Sequence, residues 1–304
     1  MSRTVLCVIE FDNYPEVVVK RAAWLAKQND CELELLVSDP VPRLLSETYI
    51  YLLESQMIAD SIRGAQEEEM DFLAAIAEEA GVVVRKTTSR ARSVADMVRG
   101  RATKIDPMYV VKGTHYHTPS ERASLVDTDW QLIRELKSPL WFAKPDQWKD
   151  SPVIVAAVDP MHSHDKPANL DREIVRTAQT IATQCDGSVQ VLHTYERLEA
   201  IGSRAMRRFK PVKLPIDEIE QKIRDEHRKA LDAFAADCGL PENAVHQLPG
   251  RAHELLPAFA RTNRASLVIM GALARTGFKK RIVGSTAARV LDHLPCDVLI
   301  VHAG

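Results

Sequence analysis

Short apolar runs alternate with longer amphipathic segments along the whole chain. The runs are rich in Val, Ile and Leu and end at polar or turn-forming residues, a pattern typical of strands buried on both faces of a parallel sheet. Between two such runs, Ile174, Ala178 and Ile181 follow Asp171 at helical spacing. The alternation predicts an α/β fold whose right-handed crossovers place helices on both faces of each sheet.

Longer amphipathic segments predict the larger helices. One long helix is marked by the apolar residues Ile216, Ile219, Ile223, Ala230, Leu231 and Phe234. The corresponding segment of the first half runs over residues 67–76. A further helix is predicted after His253, and another after Thr286.

The pattern repeats at about half the chain length. Residues 4–10 correspond to residues 153–159, and each run ends in a carboxylate. The later correspondences, in the same order, are 26–37 with 182–193, 108–113 with 267–271, and 138–144 with 296–302. Four matches in one order indicate a duplication. The polar segment 144–152, with its two prolines, separates the copies, so we predict two domains, 1–146 and 151–304.

Length, charge and cysteine content agree with two ordinary globular domains. The chain has 304 residues and a net charge of −2, which argues against a nucleic-acid-binding surface or an anionic membrane as partner. No apolar run is long enough to span a bilayer, and the N-terminus does not resemble a secretory signal, so we expect a cytoplasmic protein. The five cysteines, none at C-x-x-C spacing, predict neither a disulfide framework nor a four-cysteine zinc site.

The second half brings polar and small residues to the ends of its predicted strands. In an open parallel sheet, ligands bind beyond the carboxyl ends of the strands, where the strand order reverses. Asp159 closes the first predicted strand, residues 191–193 close the second, and Met270 and Gly271 close the fourth. We therefore expect these residues to lie near one another at one edge of the sheet.

The segment after Gly271 suits an anion. It contains Gly277, Gly284, Ser285 and Thr286 and four cationic residues at 275, 279, 280 and 281. Glycines allow backbone amides to approach a phosphate, and hydroxyls at a helix N-terminus add donors. Asp159 would then accept hydrogen bonds from a base or a ribose. The alternative is that these glycines only turn the chain between strand and helix.

Several familiar motifs are absent or incomplete. Thr276 stands five places after Gly271, so there is no Walker A loop, and neither G-x-G-x-x-G nor G-x-S-x-G occurs. His253 and Glu254 begin like H-E-x-x-H, but Pro257 takes the place of the second zinc ligand. The pairs at 115/117 and 162/164 have H-x-H spacing without a recognisable third ligand. We predict no catalytic residue and no metal site.

The duplicated pattern, with Asp159, Gly271 and the run 284–286, resembles the universal stress protein family over essentially the whole chain. The resemblance is to its tandem, E-type members, through residues 127–130, 138–141, 275–277 and 292–299. It implies two tandem Rossmann-like domains of the adenine nucleotide alpha hydrolase-like kind. Each would contain a mainly parallel five-stranded sheet flanked by helices.

The resemblance also implies a ligand. ATP-binding members carry G-x-x-G, nine residues and then G-[ST], with an acidic residue at the end of the first strand. Gly271, Gly284 and Ser285 match this pattern, but Ala274 replaces the second glycine. ATP, with or without Mg²⁺, is the expected ligand. Its expected contacts are Asp159, Val191, Met270, Gly271, Ala274, Gly277, Gly284, Ser285 and Thr286.

The first half departs further from the family pattern. Glu10 ends its first strand, and residues 112–117 replace the glycine loop. Asp127 stands where Gly284 would recur, with Asp129 two places on. A carboxylate at a phosphate cradle repels the phosphate. We therefore expect this site to be degenerate or to take a different molecule.

Together these features predict a cytoplasmic stress-response protein that binds ATP or a related nucleotide in its second domain as a sensor or regulator. Any ATP hydrolysis would be slow, because no general base is evident beside the phosphate site. The two domains are expected to form an intramolecular pseudo-dimer through residues 140–143 and 298–301, with a further homodimer as an extension. The alternatives are an interaction protein with vestigial sites, or a carrier of another small, amphipathic ligand in the first-half cleft.

Overall fold

The structure is a computed structural model that describes residues 3–39, 53–114, 128–146, 148, 150–161, 168–197, 216–272 and 290–302. The chain separates into two compact units, Met1–Gln147 and Trp148–Gly304. Each unit contains a five-stranded sheet with helices packed on it. Every strand pair described within a unit is parallel, which confirms the predicted fold class.

The first unit has the strand order β3-β2-β1-β4-β5. Its strands are β1 (Thr4–Ile9), β2 (Glu32–Ser38), β3 (Val84–Ser89), β4 (Tyr109–Gly113) and β5 (Leu140–Ala143). Its described helices are α1 (Pro15–Gln28), α2 (Leu53–Glu79), α3 (Val94–Ile105) and α4 (Thr128–Glu135). The chain moves outward from β1 to β3 and then returns to the other side of β1, so the strand order reverses between β1 and β4.

The second unit repeats this topology, with the order β8-β7-β6-β9-β10. Its strands are β6 (Val153–Val158), β7 (Ser188–Tyr195), β8 (Val245–Pro249), β9 (Ala265–Ala272) and β10 (Asp297–His302). Its described helices are α5 (Ala168–Gln184), α6 (Ile216–Asp237) and α7 (Ala252–Thr262), with a short 3₁₀ turn over Glu242–Ala244. The reversal here lies between β6 and β9.

Helix α5 buries the face that the sequence pattern predicts. Ile174, Ala178 and Ile181 of α5 are fully buried, as their spacing predicted. Helix α3 is capped by Ser93, whose hydroxyl oxygen accepts a hydrogen bond from the backbone N–H of Asp96 at 3.1 Å. The helix predicted after Thr286 begins outside the described residues.

Candidate functional site

In the second unit, a buried carboxylate fixes the end of β6, beside the point where the strand order reverses. Asp159 follows β6 directly, and its backbone N–H donates to Oδ1 of Asp171 at 3.1 Å. Asp171 lies in the first turn of α5 and is fully buried. Helix α5 therefore fixes the backbone at the point where the predicted ligand-binding carboxylate leaves the sheet.

Gly271 lies inside β9, opposite Val301 of β10, rather than in a turn. A Cβ atom at this position would lie 2.7 Å from Cδ2 of Leu170, on α5. That distance is too short for two carbon atoms, so an added methyl group would have to displace the Leu170 side chain where α5 packs closely on β9. The neighbouring Met270 has a buried side chain.

The second strand of this unit ends later than the sequence predicted. β7 continues two residues beyond His193 because Thr194 and Tyr195 pair with Leu248 and Pro249 of β8. Val191 lies in the middle of β7, opposite Ala156, with a fully buried side chain. The remaining predicted contacts, Ala274, Gly277, Gly284, Ser285 and Thr286, lie outside the described residues and stay predictions.

A pair of histidines adjoins this edge. Nε2 of His193, on β7, lies 2.8 Å from Nδ1 of His227, on α6, and Nδ1 of His193 lies 3.2 Å from the carbonyl oxygen of Val158. The ring of His227 also stacks on Tyr195, with centroids 4.9 Å apart. A carbonyl can only accept, so Nδ1 of His193 holds its proton and Nε2 accepts from the Nδ1–H of His227. Val158 directly precedes Asp159, so the pair supports the same strand end.

Burial lowers the pKa of both imidazoles. For His193 the loss of solvent outweighs its hydrogen bond to Val158 and the nearby charge of Asp159, and His227 lowers the pKa further. For His227 burial again outweighs the attraction of Asp159 and Glu226. Both rings are therefore neutral at pH 7. Sequence reasoning missed this pair because its members are 34 residues apart and His227 stands among charged residues.

Acidification is expected to destabilise the second unit through these histidines. Their pKa values are lowered in the folded chain, so stability is fully present above the unfolded value of about 6.5 and is lost as the pH falls below it, by at most ~1.4 kcal/mol per group and pH unit. Urea unfolding at about pH 7.5 and about pH 5.5 measures the loss. His227→Gln keeps a donor for His193 and removes one titrating group, so it should be less acid-sensitive. Equal sensitivity in the variant and the parent protein would contradict this assignment.

The corresponding edge of the first unit contains a buried lysine. Lys112 lies on β4, opposite Val8 of β1, and its side chain is 2% exposed. Its Nζ lies 2.6 Å from Oε2 of Glu10 and 2.9 Å from Oδ1 of Asp129, and it donates to the carbonyl oxygen of Gly113 at 2.9 Å. The lysine therefore bridges the end of β1 to α4.

Further hydrogen bonds fix the two carboxylates. Thr114 Oγ1 donates to Oδ2 of Asp129 at 2.7 Å, and Asn13 Nδ2 donates to Oε2 of Glu10 at 3.3 Å. Burial alone would lower the pKa of Lys112, but the attraction of Asp129 and Glu10 exceeds that penalty and raises the pKa overall. The ammonium group is therefore charged. Asp129, expected from the sequence to face a phosphate cradle, instead forms a buried ion pair, while Asp127 and residues 115–117 lie outside the described residues.

The described residues show no metal centre and no membrane helix. No group of three His, Cys, Asp or Glu side chains in this part of the chain is arranged to hold a metal ion. His253 and Glu254 are neighbours near the start of α7, and His253 Nε2 lies 3.7 Å from Oε1 of Glu254. None of the described helices has both the length and the apolar character needed to cross a bilayer.

Comparison with known proteins identifies related chains. Residues 1–144 and 153–302 each match the family model "Universal stress protein family". Universal stress protein E of Escherichia coli K12 is 29% identical over 199 residues, which are 63% of this chain and 60% of that protein. The chain thus spans about 60% of the length of the curated relatives that it matches first.

Solved structures share the fold across both units. A crystal structure from Pseudomonas aeruginosa UCBPP-PA14, assigned to the universal stress proteins, has a TM-score of 0.69 at 24% identity and covers 99% of this chain and 93% of its own. A universal stress protein of Archaeoglobus fulgidus DSM 4304 has a TM-score of 0.67 at 15% identity and covers 100% of this chain and 97% of its own. At these identities the likeness establishes the fold alone.

Proposed function

The chain belongs to the universal stress protein family, with one family domain in each half, and we propose that it is a cytoplasmic stress-response protein that binds ATP or a related nucleotide in its second domain. The proposed role is that of a sensor or regulator. Relatives that share part of its length are named universal stress protein E, which supports a role in the stress response. The sequence places no general base beside the phosphate-binding segment, so hydrolysis is not its expected activity.

The contrast between the two reversal points supports this assignment. In the first domain, the ammonium group of Lys112 bridges Glu10 and Asp129 at the place where a ligand would lie. In the second domain, Met270 stands at the position that corresponds to Lys112 and is followed by Gly271. Methionine is uncharged and glycine has only a hydrogen atom as side chain, so neither can form such a bridge. Asp159 stands at the strand end there, half-buried. We infer that the first site is closed by its own ion pairs and that the second is the one that receives a ligand.

The side chains at the reversal point of the second domain can bind a nucleotide. A carboxylate at the end of β6 accepts hydrogen bonds from ribose hydroxyls or a base amine. The cationic segment 275–281 and the hydroxyls of Ser285 and Thr286 supply donors and positive charge for phosphates. Mg²⁺ would be held mainly by the phosphates themselves.

Isothermal titration of the nucleotide-free full chain with ATP and with AMP, each with magnesium, tests the proposal. We expect one saturable site. Asp159→Asn should weaken binding by about tenfold or more, since it removes a charged acceptor. Gly284→Asp should abolish binding, because it places a carboxylate at the phosphate cradle. Asp237→Asn is the matched control: its exposed carboxylate on α6 pairs with Arg172 and should not affect binding.

The competing hypotheses give different results. An interaction protein with vestigial sites would show no heat of binding at millimolar ATP, and that outcome would remove the nucleotide proposal. Mass spectrometry of ligands that copurify with the chain would reveal a different small molecule. The pseudo-dimer and a further homodimer stay predictions, and light scattering of the full chain measures the homodimer.

A further inference from the structure

We propose that the first domain has a separate ligand site, a groove between α2 and β3 that binds the phosphate or carboxylate of a small sugar-like metabolite through Arg63 and Arg90. The groove encloses about 420 Å³, within the range of small-molecule sites. It lies beside the outer strands β2 and β3, and it shares no residue with the Lys112 cluster or with the proposed nucleotide site.

The groove has two distinct ends. At one end, Arg63 of α2 and Arg90, which follows β3, both approach Asp39. At the other end, Asp71 of α2 pairs with Lys86 of β3. The two elements therefore run antiparallel, and eight residues of helix at 1.5 Å each make the groove about 12 Å long. Such a length accommodates a phosphorylated five- or six-carbon sugar.

At the arginine end of the groove, two guanidinium groups converge on one buried carboxylate. Asp39 directly follows β2, its backbone N–H donates to the carbonyl oxygen of Ser89 at 2.8 Å, and its side chain is 5% exposed. Arg90 Nε lies 3.3 Å from Oδ2 of Asp39, and Arg63 Nη2 lies 3.7 Å from the same oxygen. Two guanidinium groups thus share one buried carboxylate.

Most donors of these two arginines have no acceptor among the residues that the structure describes. Arg63 approaches Asp39 at 3.7 Å and Asp60 at 3.6 Å, both beyond hydrogen-bond distance. Arg90 bonds through Nε alone, so its two Nη groups have no acceptor within the described part of the chain. A guanidinium group binds carboxylate or phosphate through paired N–H donors. The arrangement is therefore complementary to one such anionic group.

The remainder of the groove suits a hydroxylated body. Gln66 Nε2 donates to the carbonyl oxygen of Ser38 at 3.0 Å, which fixes α2 over the end of β2. Met70 is buried and forms an apolar floor. Thr88 and Glu67 add a hydroxyl and a carboxylate to the lining, and both accept hydrogen bonds from sugar hydroxyls. A ligand that carries an anionic group at one end and hydroxyls along its length fits this groove. Sugar phosphates and sugar acids have that form.

Calorimetric titration of the full chain with ribose 5-phosphate tests this site, and ribose serves as the neutral comparison. We expect saturable binding of the phosphate and none of ribose. The double variant Arg63→Ala/Arg90→Ala should lower the affinity by about tenfold or more, because it removes charged donors. Asp39→Asn should raise the affinity severalfold, because it removes the carboxylate that competes for both arginines.

Two controls separate this site from other effects. Arg85→Ala removes an exposed arginine of the same strand that pairs with Glu32 instead of lining the groove, and it should bind like the parent chain. Gly284→Asp disables the proposed nucleotide site and should leave ribose 5-phosphate binding unchanged. The proposal is overturned if binding is absent up to about 10 mM, or if the double arginine variant, folded by circular dichroism, binds as well as Arg85→Ala.

Discussion

Lys112→Met is expected to destabilise the first domain by about 3–5 kcal/mol, the loss typical of removing one partner from a buried ion pair. The substitution keeps the volume of the side chain but removes the ammonium group that bridges Glu10 and Asp129. Their negative charges would then repel each other in a region from which water is largely excluded. Urea unfolding of the full chain at neutral pH, monitored by circular dichroism, measures the change.

An exposed pair of the same domain provides the matched control. Lys86→Met breaks the ion pair with Asp71, whose side chains are 44% and 67% exposed, and should cost at most about 1 kcal/mol. Equal decreases in the free energy of unfolding of Lys112→Met and Lys86→Met would contradict a larger contribution of the buried ion pairs.

The ionisation of Lys112 itself should not limit stability near neutrality. Its pKa is raised in the folded chain because Asp129 and Glu10 together outweigh the cost of burial. The stabilisation is thus fully present below the unfolded value of about 10.4 and is lost only as the pH rises through the higher folded value.

Gly113→Ala is expected to cost about 1–3 kcal/mol, as overpacking of a filled interior does. A Cβ atom there would lie 2.5 Å from the backbone oxygen of Asn13, in the turn where the Asn13 N–H donates to the carbonyl of Glu10. Backbone atoms in a hydrogen-bonded turn cannot move aside as easily as the end of a side chain. The same urea unfolding experiment measures the cost.

Gly100→Ala should have the opposite sign. Gly100 lies within α3, and no atom stands within 4 Å of the Cβ that alanine would add. Alanine is the better helix former by about 0.5–1 kcal/mol, so this variant should be more stable than the parent chain. A neutral or stabilising effect of Gly113→Ala would show that Asn13 does not approach β4 as closely as the structure has it.

The two glycines show why a shared motif need not mean a shared ligand. Gly113 and Gly271 correspond in the repeat, and each lies where a preceding element presses against the fourth strand of its domain. Asn13 makes that contact in the first domain and Leu170 in the second. Their packing accounts for glycine at both positions, while the residues around them differ in chemistry.

Two strands contain no continuous apolar run, so hydrophobic periodicity does not reveal them. Edge strand β3 reads Val-Arg-Lys-Thr-Thr-Ser, with several exposed residues, because helices do not cover it as they cover the central strands. β8 is likewise an edge strand, and most of it is only half-buried. The groove beside α2 forms against the first of these strands, so its site was not predictable from hydrophobic periodicity.

The sequence by itself determined the duplicated α/β architecture, the buried central strands and the carboxylates Glu10 and Asp159 at the ends of corresponding strands. These features are local, because periodicity and strand ends depend on neighbouring residues. Only the tertiary structure decided that Lys112 meets Asp129 and that His193 meets His227. Each pair joins a strand to a helix distant in sequence, and such contacts depend on how the helices cross the sheet.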